Sequence, residues 1–452
     1  MTAHEILALR PRIERILRLF DECFVDDGTR HHLRVYVQGQ LSNLPRQSVE
    51  PIAVAADMAP KTLQQFLSLA KWDHLLMRDR LEQRVASGHS GPRVIGVFDE
   101  TGCPKKGHKT PGVERQYCGA TGKIDNCIVT VHWALAEGSF HCLLDSELFL
   151  PEVWSEDRTR CRAAGIPEAL VHRPKWQIGL ELYDIARGNG LALAWVTFDE
   201  GYGGKPGFLR GLIARSQRFV GEVPGSLTGW IERPAVTRRP YRKGGKGRPR
   251  KVPRLVSGSP RALSLKDHLL SHPAFLAQPW QTYHVKDSAK GPMVWEAKRV
   301  TMTFKDEDDL PGWSLELVTA RDVRDREKVK YFVSNAPAEI ATDPLLLVGL
   351  TRWHVERCFE DGKSELGFDH WEGRSYLGLK RHQTVSAVSF LLLAETRRAL
   401  GGEKSGLDGV PGSDGGGRVG GGVGVGDAGS QGTGPACSAV DRLGARGERQ
   451  SA

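Results

Sequence analysis

Three carboxylates stand where an oxygen-ligand metal site would need them. Asp99 ends one apolar run in VIGVFDETG, and Asp199 ends another in LAWVTFDEGYGG. Each follows a strand-like segment and precedes a Gly-bearing turn, so each should emerge at a strand's C-terminal edge, where α/β sheets build their sites. The two lie 100 residues apart, yet neighbouring strands would bring them together. The third is Glu356, in TRWHVERCFEDGKSELGFDHW. On a helix Arg352, Glu356, Glu360 and Lys363 share one face, and Val355, Phe359 and Leu366 line the adjacent apolar stripe. The plain alternative is a helical ion-pair face worth about 0.3–0.5 kcal/mol per pair; two strand-end aspartates shift the balance away from it. Hard oxygen donors without a His or Cys cluster suit Mg²⁺ or Mn²⁺ rather than zinc. Two such ions about 3.5–4 Å apart can activate a water or a 3′-hydroxyl and stabilise the leaving oxygen at a phosphodiester. Arg352 and Lys363 suit the phosphate instead, by bidentate and point-charge contacts.

The elements that must hold these groups follow from the apolar pattern. Residues 1–90 read as helical, beginning with an amphipathic MTAHEILALRPRIERILRLF that lacks the uncharged core of a secretory leader. In SVEPIAVAADMAPKTLQQFLSLAKWD two short helices flank a turn, with Pro60 where a first-turn proline is tolerated. The pair is either a helix-turn-helix, whose second helix would enter a DNA groove, or part of a plain helical bundle. From 91 to 223 the order is three strands (94–98, 127–136, 139–150), a helix (174–190), a strand (191–198), a helix and a strand, RFVGEV. Residues 224–340 alternate as a β-rich insertion, and helices return over 341–400. The expected fold is α/β: a mixed five-stranded sheet with flanking helices, a helical N-terminal region and that insertion.

The chain has 452 residues, enough for two to four folding units, with 63 Lys and Arg against 54 Asp and Glu and a formal charge of +9. Nowhere do about 18 apolar residues run together, which argues against a membrane span. Eight scattered cysteines form no CxxC pair, which argues against a zinc ribbon or a disulfide scaffold and for a reducing, cytoplasmic setting. Residues 401–452 hold 18 of the 52 glycines and no aromatic residue; such a segment should be disordered, and a frameshifted end would also produce it.

Other charges gather where DNA would lie. Lys105, Lys106, Lys109 and Arg115 fill the loop expected after the first strand. RRPYRKGGKGRPRKVPR (238–254) holds nine Lys or Arg in seventeen residues and no acid; its Arg242, Lys243, Lys246, Arg248, Arg250 and Lys251 are expected to contact the DNA backbone, ordering as they bind. Glu100 and Glu200 follow the two aspartates and, pointing to opposite faces, take structural roles. The histidines show no paired spacing, and Trp230, Trp280, Trp295 and Trp313 are assigned to the core of the insertion.

The blocks FDETGCPKKGHKTPGVERQYCGATGKIDNCIV, WVTFDEGYG and TRWHVERCFEDGKSELGFDHWEGRSYLGLKRH resemble DDE transposases of bacterial insertion sequences, of the insertion-sequence 701 type. The resemblance spans roughly residues 15–400. It implies an RNase H-like core, DNA strand cleavage and strand transfer with two Mg²⁺ or Mn²⁺ ions, and Asp99, Asp199 and Glu356 as catalytic, metal-binding carboxylates. Arg352, Glu356 and Lys363 match the signature helix of the related insertion-sequence 4 group, which carries a Tyr three residues before the Arg where this chain has Gly349. The implied partners are terminal inverted repeats, target DNA and a second copy of the chain at the paired ends, in a nucleoid-associated protein. A catalytically silent DNA-binding remnant and a nuclease without strand transfer remain as alternatives.

Overall fold

A computed structural model describes residues 11–238, 252–288, 291–306 and 308–400. The basic positions Arg242 to Lys251 and the Gly-rich tail lie outside these residues.

The N-terminal region is helical, as expected. A 3₁₀ turn at Arg18–Cys23 leads into α1 (Asp27–Gln40), α2 (Val49–Ala55), α3 (Pro60–Ser68) and α4 (His74–Gly88). Asp26 and Asp73 cap α1 and α4 by accepting backbone N–H groups, 2.8 Å from Thr29 and 2.9 Å from Leu75 and Leu76. Pro60 opens α3 at its first turn. Leu63, Phe66 and Leu67 bury one face of α3 while Lys61, Gln64 and Gln65 stay exposed. Trp72 stacks on Phe66 with centroids 5.1 Å apart, and the buried Arg381 lies 4.5 Å over the Trp72 ring and donates to the carbonyl of Trp72.

The central sheet is built from β1 (Ile95–Pro104), β2 (Glu114–Cys118), β3 (Lys123–Glu137), β4 (Phe140–Leu148) and β5 (Trp195–Thr197). β3 is long enough to pair antiparallel with β1 along one edge, and with β2 and then β4 along the other. β5 joins β1 in parallel, giving the order β4–β3–β1–β5 of an RNase H-like mixed sheet. RFVGEV forms β6 (Val220–Val223). β6 joins this sheet through the parallel Val196–Phe219 bridge and a 3.0 Å bond from the Glu222 N–H to the Phe198 carbonyl. Its full ladder, however, is with Tyr331–Ser334 of a second sheet. The central sheet thus reaches five strands through the hairpin strand β2, whose charged sequence ERQYC hid it, and β6 is shared between the two sheets.

Helix α5 (Lys175–Gly188) covers one face, where Phe98 packs among Trp133, Tyr183, Tyr202 and Phe208 with centroids 4.4–6.5 Å apart. A further helix, α6 (Pro206–Ala214), carries Phe208. Three helices follow the second sheet: α7 (Thr342–Thr351), α8 (Trp353–Leu366) and α9 (Tyr376–Ala399). On the opposite face of the sheet, Phe359 of α8 and Phe368 just beyond it close over His132 at 4.9 and 5.3 Å; burial pushes that imidazole down to about 3. α9 ties the N-terminal helices to this frame. Its Ser386 and Ser389 satisfy both ends of the buried Gln40 amide at 2.7 and 2.8 Å, and His382 meets the Tyr36 hydroxyl at 3.0 Å.

The insertion is β-rich as expected. Its seven-stranded sheet includes Gln281–Ser288, Gly291–Lys305, Pro311–Asp322 and Asp325–Ser334, each antiparallel to its neighbour. Trp230 and Trp295 are buried in it. Trp280 and Trp313 are only half-buried and lie beneath cations instead, Arg321 at 4.0 Å and Arg210 at 5.6 Å. Among the described residues all seven cysteines are free and buried, and no helix is long and apolar enough to cross a membrane.

Candidate active site

Asp99 does not end its strand. β1 continues five residues further because Thr101–Pro104 keep pairing with Cys127–Thr130 of the long β3. What stops at this level is β5, whose last residue Thr197 pairs with Val97. Asp99 and Asp199 each lie two residues beyond that pair, so the parallel register delivers both carboxylates to one height. Asp199 then caps a single helical turn, Glu200–Gly203, by accepting the Tyr202 N–H at 3.2 Å.

Asp99 is buried, at 8% exposure. Burial first, and then the charge of Asp199, raise its carboxyl from the usual range to about 7, against the pull of Arg352. Two carboxyl groups side by side, one of them buried, call for a cation. The cation present is Arg352. It sits in helical conformation at the junction of α7 and α8, and its Nη1 donates to Asp99 Oδ2 at 3.0 Å while its Nη2 donates to Glu356 Oε1 at 2.5 Å. Burial opposes the charge of this guanidinium, but Asp99 and Glu356 outweigh that and hold its pKa above the ordinary arginine value. Glu356 stands on the first turn of α8 with its side chain 58% exposed. One arginine therefore spans two of the three carboxylates, while the third, Asp199, neighbours Asp99.

Lys363, two turns along α8 from Glu356, donates to Thr101 Oγ1 at 2.7 Å, on the same face of β1 as Asp99. Val355, Phe359 and Leu366 are buried, as their stripe predicted. Glu100 points to the other face and pairs with Lys175 at the start of α5; Glu200 is exposed. Gly349 is enclosed: a Cβ there would lie 2.9 Å from the Phe332 ring. The position where the resembling group has Tyr is thus filled by Phe332 of the second sheet.

The cations expected after the first strand divide. Lys106 and Lys109 are exposed. Lys105 is a clip, donating to the carbonyls of Asp369 at 3.0 Å and Trp371 at 2.6 Å. Arg115 is not in the loop but on β2, because residues 114–118 pair with β3. The sequence reading missed Tyr202. Its hydroxyl is buried beside Glu100, and its pKa is raised well above the usual value by burial, then by Glu100, Asp99 and Asp199. The signal was there: Tyr three residues after an aspartate in FDEGYGG.

Among the described residues no three His, Cys, Asp or Glu side chains are gathered closely enough to hold a metal ion. The donor chemistry nonetheless fits a hard divalent cation. Asp99 is a buried oxygen donor whose ionisation the neighbouring Asp199 opposes, and Arg352 supplies the positive charge between Asp99 and Glu356.

A mixed sheet with acidic groups at the end of its parallel pair, and cations on the helix across from them, defines an RNase H-like nuclease architecture. The family model for the DDE superfamily endonucleases matches residues 19–292, well over half the chain, and the chain belongs to that family. The matched residues include Asp99 and Asp199; Glu356 lies beyond them. The chain is also 37% identical over 94 residues to a protein of Microchaete diplosiphon described as a probable transposase for insertion sequence element IS701. That similarity covers 21% of this chain and 25% of the relative, so the chain spans about a quarter of the length of the curated protein it matches.

Proposed function

We propose that this endonuclease is a transposase that cuts DNA at insertion-sequence ends and joins the freed 3′ ends to target DNA. The observation that carries the reading is the level placement of Asp99 and Asp199 with Arg352 bridging on to Glu356. On this reading Asp99, Asp199 and Glu356 are the catalytic carboxylates and hold two Mg²⁺ or Mn²⁺ ions, which when bound supply Lewis-acid stabilisation of the attacking and leaving oxygens.

The chain's own residues do the rest. Asp99, buried, and Asp199, half-buried beside it, present neighbouring carboxyl oxygens at one level of the sheet. Arg352, released from the carboxylates, turns its planar fork to a phosphate, and Lys363 adds a point charge beside it. Glu356 is exposed and has the freedom to close on the aspartates once Arg352 leaves. Residues 1–90 act as a DNA-binding region, 91–223 with 341–400 as the catalytic core, and 224–340 as an insertion whose basic segment (Arg242, Lys243, Lys246, Arg248, Arg250, Lys251) holds backbone phosphates. Two copies act together, since two ends must be cut in concert, and the protein works on the nucleoid in the cytoplasm.

The test is nicking of a supercoiled plasmid carrying the element's ends, in Mg²⁺. The parent should nick and join, and Asp99→Asn should bind the same DNA without cutting it. Equal cutting by Asp99→Asn removes the site assignment.

A further inference from the structure

The face of the sheet that carries Asp99 does not end under α8. In antiparallel pairs, opposed residues project to one side, and along a strand every second residue does. Asp99 opposes His132, Thr101 opposes Thr130 and Cys103 opposes Ile128. The same alternation continues on β3 to Asn126 and Ile124, which oppose Arg115 and Tyr117 of β2. The first part of this row is covered: His132, Thr130 and Ile128 are at most 2% exposed, and Lys363 of α8 reaches Thr101. The last part is bare, with Tyr117 64% and Ile124 63% exposed as a cross-strand pair.

Along residues 105–126 the exposed charge has one sign. Lys106, Lys109 and Arg115 are exposed, Arg115 on the same face as the pair, and no acidic residue between 105 and 126 is exposed. The two acids there are half-buried and occupied, Asp125 by the Asn126 N–H at 2.8 Å and Glu114 by Arg160 at 4.0 Å. Three cations with no exposed counter-charge along the same segment, beside two apolar side chains, suit a polyanion with an apolar interior, which is duplex DNA.

We propose that the β2–β3 hairpin is a second DNA contact, with Tyr117 and Ile124 lying against the sugars and base edges of the minor groove while Lys106, Lys109 and Arg115 hold the flanking phosphates. This rests on the transposase reading and extends it. Eight residues of β3 separate His132, opposite Asp99, from Ile124, a run of about 27 Å at about 3.4 Å per residue. At about 3.4 Å per base pair the hairpin meets the duplex about eight base pairs from the acidic site. Apolar side chains in a minor groove add affinity without displacing counter-ions, so their loss has a different salt signature from loss of a cation.

The experiment compares the full chain with Tyr117→Ser/Ile124→Ser and with Lys106→Gln/Arg115→Gln, using fluorescence anisotropy on a 40-base-pair duplex of arbitrary sequence at several salt concentrations, alongside sedimentation velocity. All four positions are exposed, so the fold should survive. The serine pair should weaken binding about tenfold and leave the salt slope unchanged. The glutamine pair should lower the magnitude of the slope by about two. Unchanged affinity in the serine pair overturns the proposal; if a parent dimer then becomes a monomer, the pair is a self-association surface instead. A parent that does not bind the duplex overturns it as well. Plasmid nicking by Asp99→Asn is read separately, so a failed catalytic assignment is distinguishable from a failed hairpin contact.

Discussion

Replacing Arg352 by Gln should make the protein bind divalent metal more tightly while making it a worse enzyme. In the closed site Arg352 neutralises Asp99 and Glu356 at once, and a metal ion must displace it. The Asp99 contact is largely buried, with side-chain exposures of 20% for Arg352 and 11% for Asp99, so it is worth about 1.5–3 kcal/mol as a charge-assisted bond. The Glu356 contact is a solvated pair in which Glu356 is 58% exposed, and it adds only about 0.3–0.5 kcal/mol. Together the parent forfeits about 2–3.5 kcal/mol that Arg352→Gln does not, or about 30–300-fold in metal affinity. Titration of DNA-free protein with Mn²⁺, read by the loss of the free-ion paramagnetic resonance signal, measures this directly. Circular dichroism checks that the variant is folded, and Asp99→Asn should abolish the tight site in the same titration. Equal Mn²⁺ affinity of parent and Arg352→Gln, with Asp99→Asn weakened, would refute the counter-ion argument while sparing the carboxylate assignment.

Other expectations follow from the same geometry. Lys105→Met should lower stability by about 1–3 kcal/mol, since it leaves the Asp369 and Trp371 carbonyls unpaired; Lys106→Gln should leave stability alone and reduce the salt slope of DNA binding by about one. Chemical denaturation and anisotropy separate the two. Gly349→Leu should be destabilised by about 1–3 kcal/mol or more, because its Cβ meets Phe332 at 2.9 Å; a thermal shift of zero would show that Phe332 yields freely. Glu82 on α4 is raised to about 8, by burial first and then by Asp145, with Asp79 also raising it and Asn189 and Arg78 acting the other way. A raised carboxyl stabilises the fold fully below its unfolded pKa and loses that contribution as pH rises through about 8. Glu82→Gln should therefore flatten the decline in stability between pH 5 and 9, by an amount on the order of 3 kcal/mol. A variant as pH-sensitive as the parent would assign the decline to other groups.

The apolar patterning foretold most of the frame and least of its interfaces. Strands 127–136 and 139–150 and the helix at 174–190 are long, periodic segments and appear nearly as drawn. LALAWVTF shrinks to Trp195–Thr197, because only those three residues find a parallel partner on β1. Where a strand ends depends on how long its neighbour is, and this moved Asp99 from the end of β1 to its middle. Strand β2 escaped notice because its exposed alternation looks like a charged loop. RFVGEV was recognisable as a strand, but its ladder to Tyr331–Ser334 joins residues more than 100 positions apart, beyond any local pattern. At the site, residue type and spacing singled out Asp99, Asp199, Glu356, Arg352 and Lys363. They could not show that Arg352 faces the carboxylates, that Lys105 is spent on two backbone carbonyls, or that Tyr202 packs on Phe98 on the face of β1 away from Asp99, since each depends on side-chain direction in the assembled fold.

Diffraction from crystals of the full chain soaked in Mn²⁺, with anomalous scattering to locate the ion, tests the central claim most directly. The account predicts a manganese peak contacting Asp99 and Asp199, with Glu356 drawn in and Arg352 swung clear of both of its present carboxylate partners. A peak elsewhere, or none at millimolar Mn²⁺ with Arg352 still joined to Asp99 and Glu356, would contradict it.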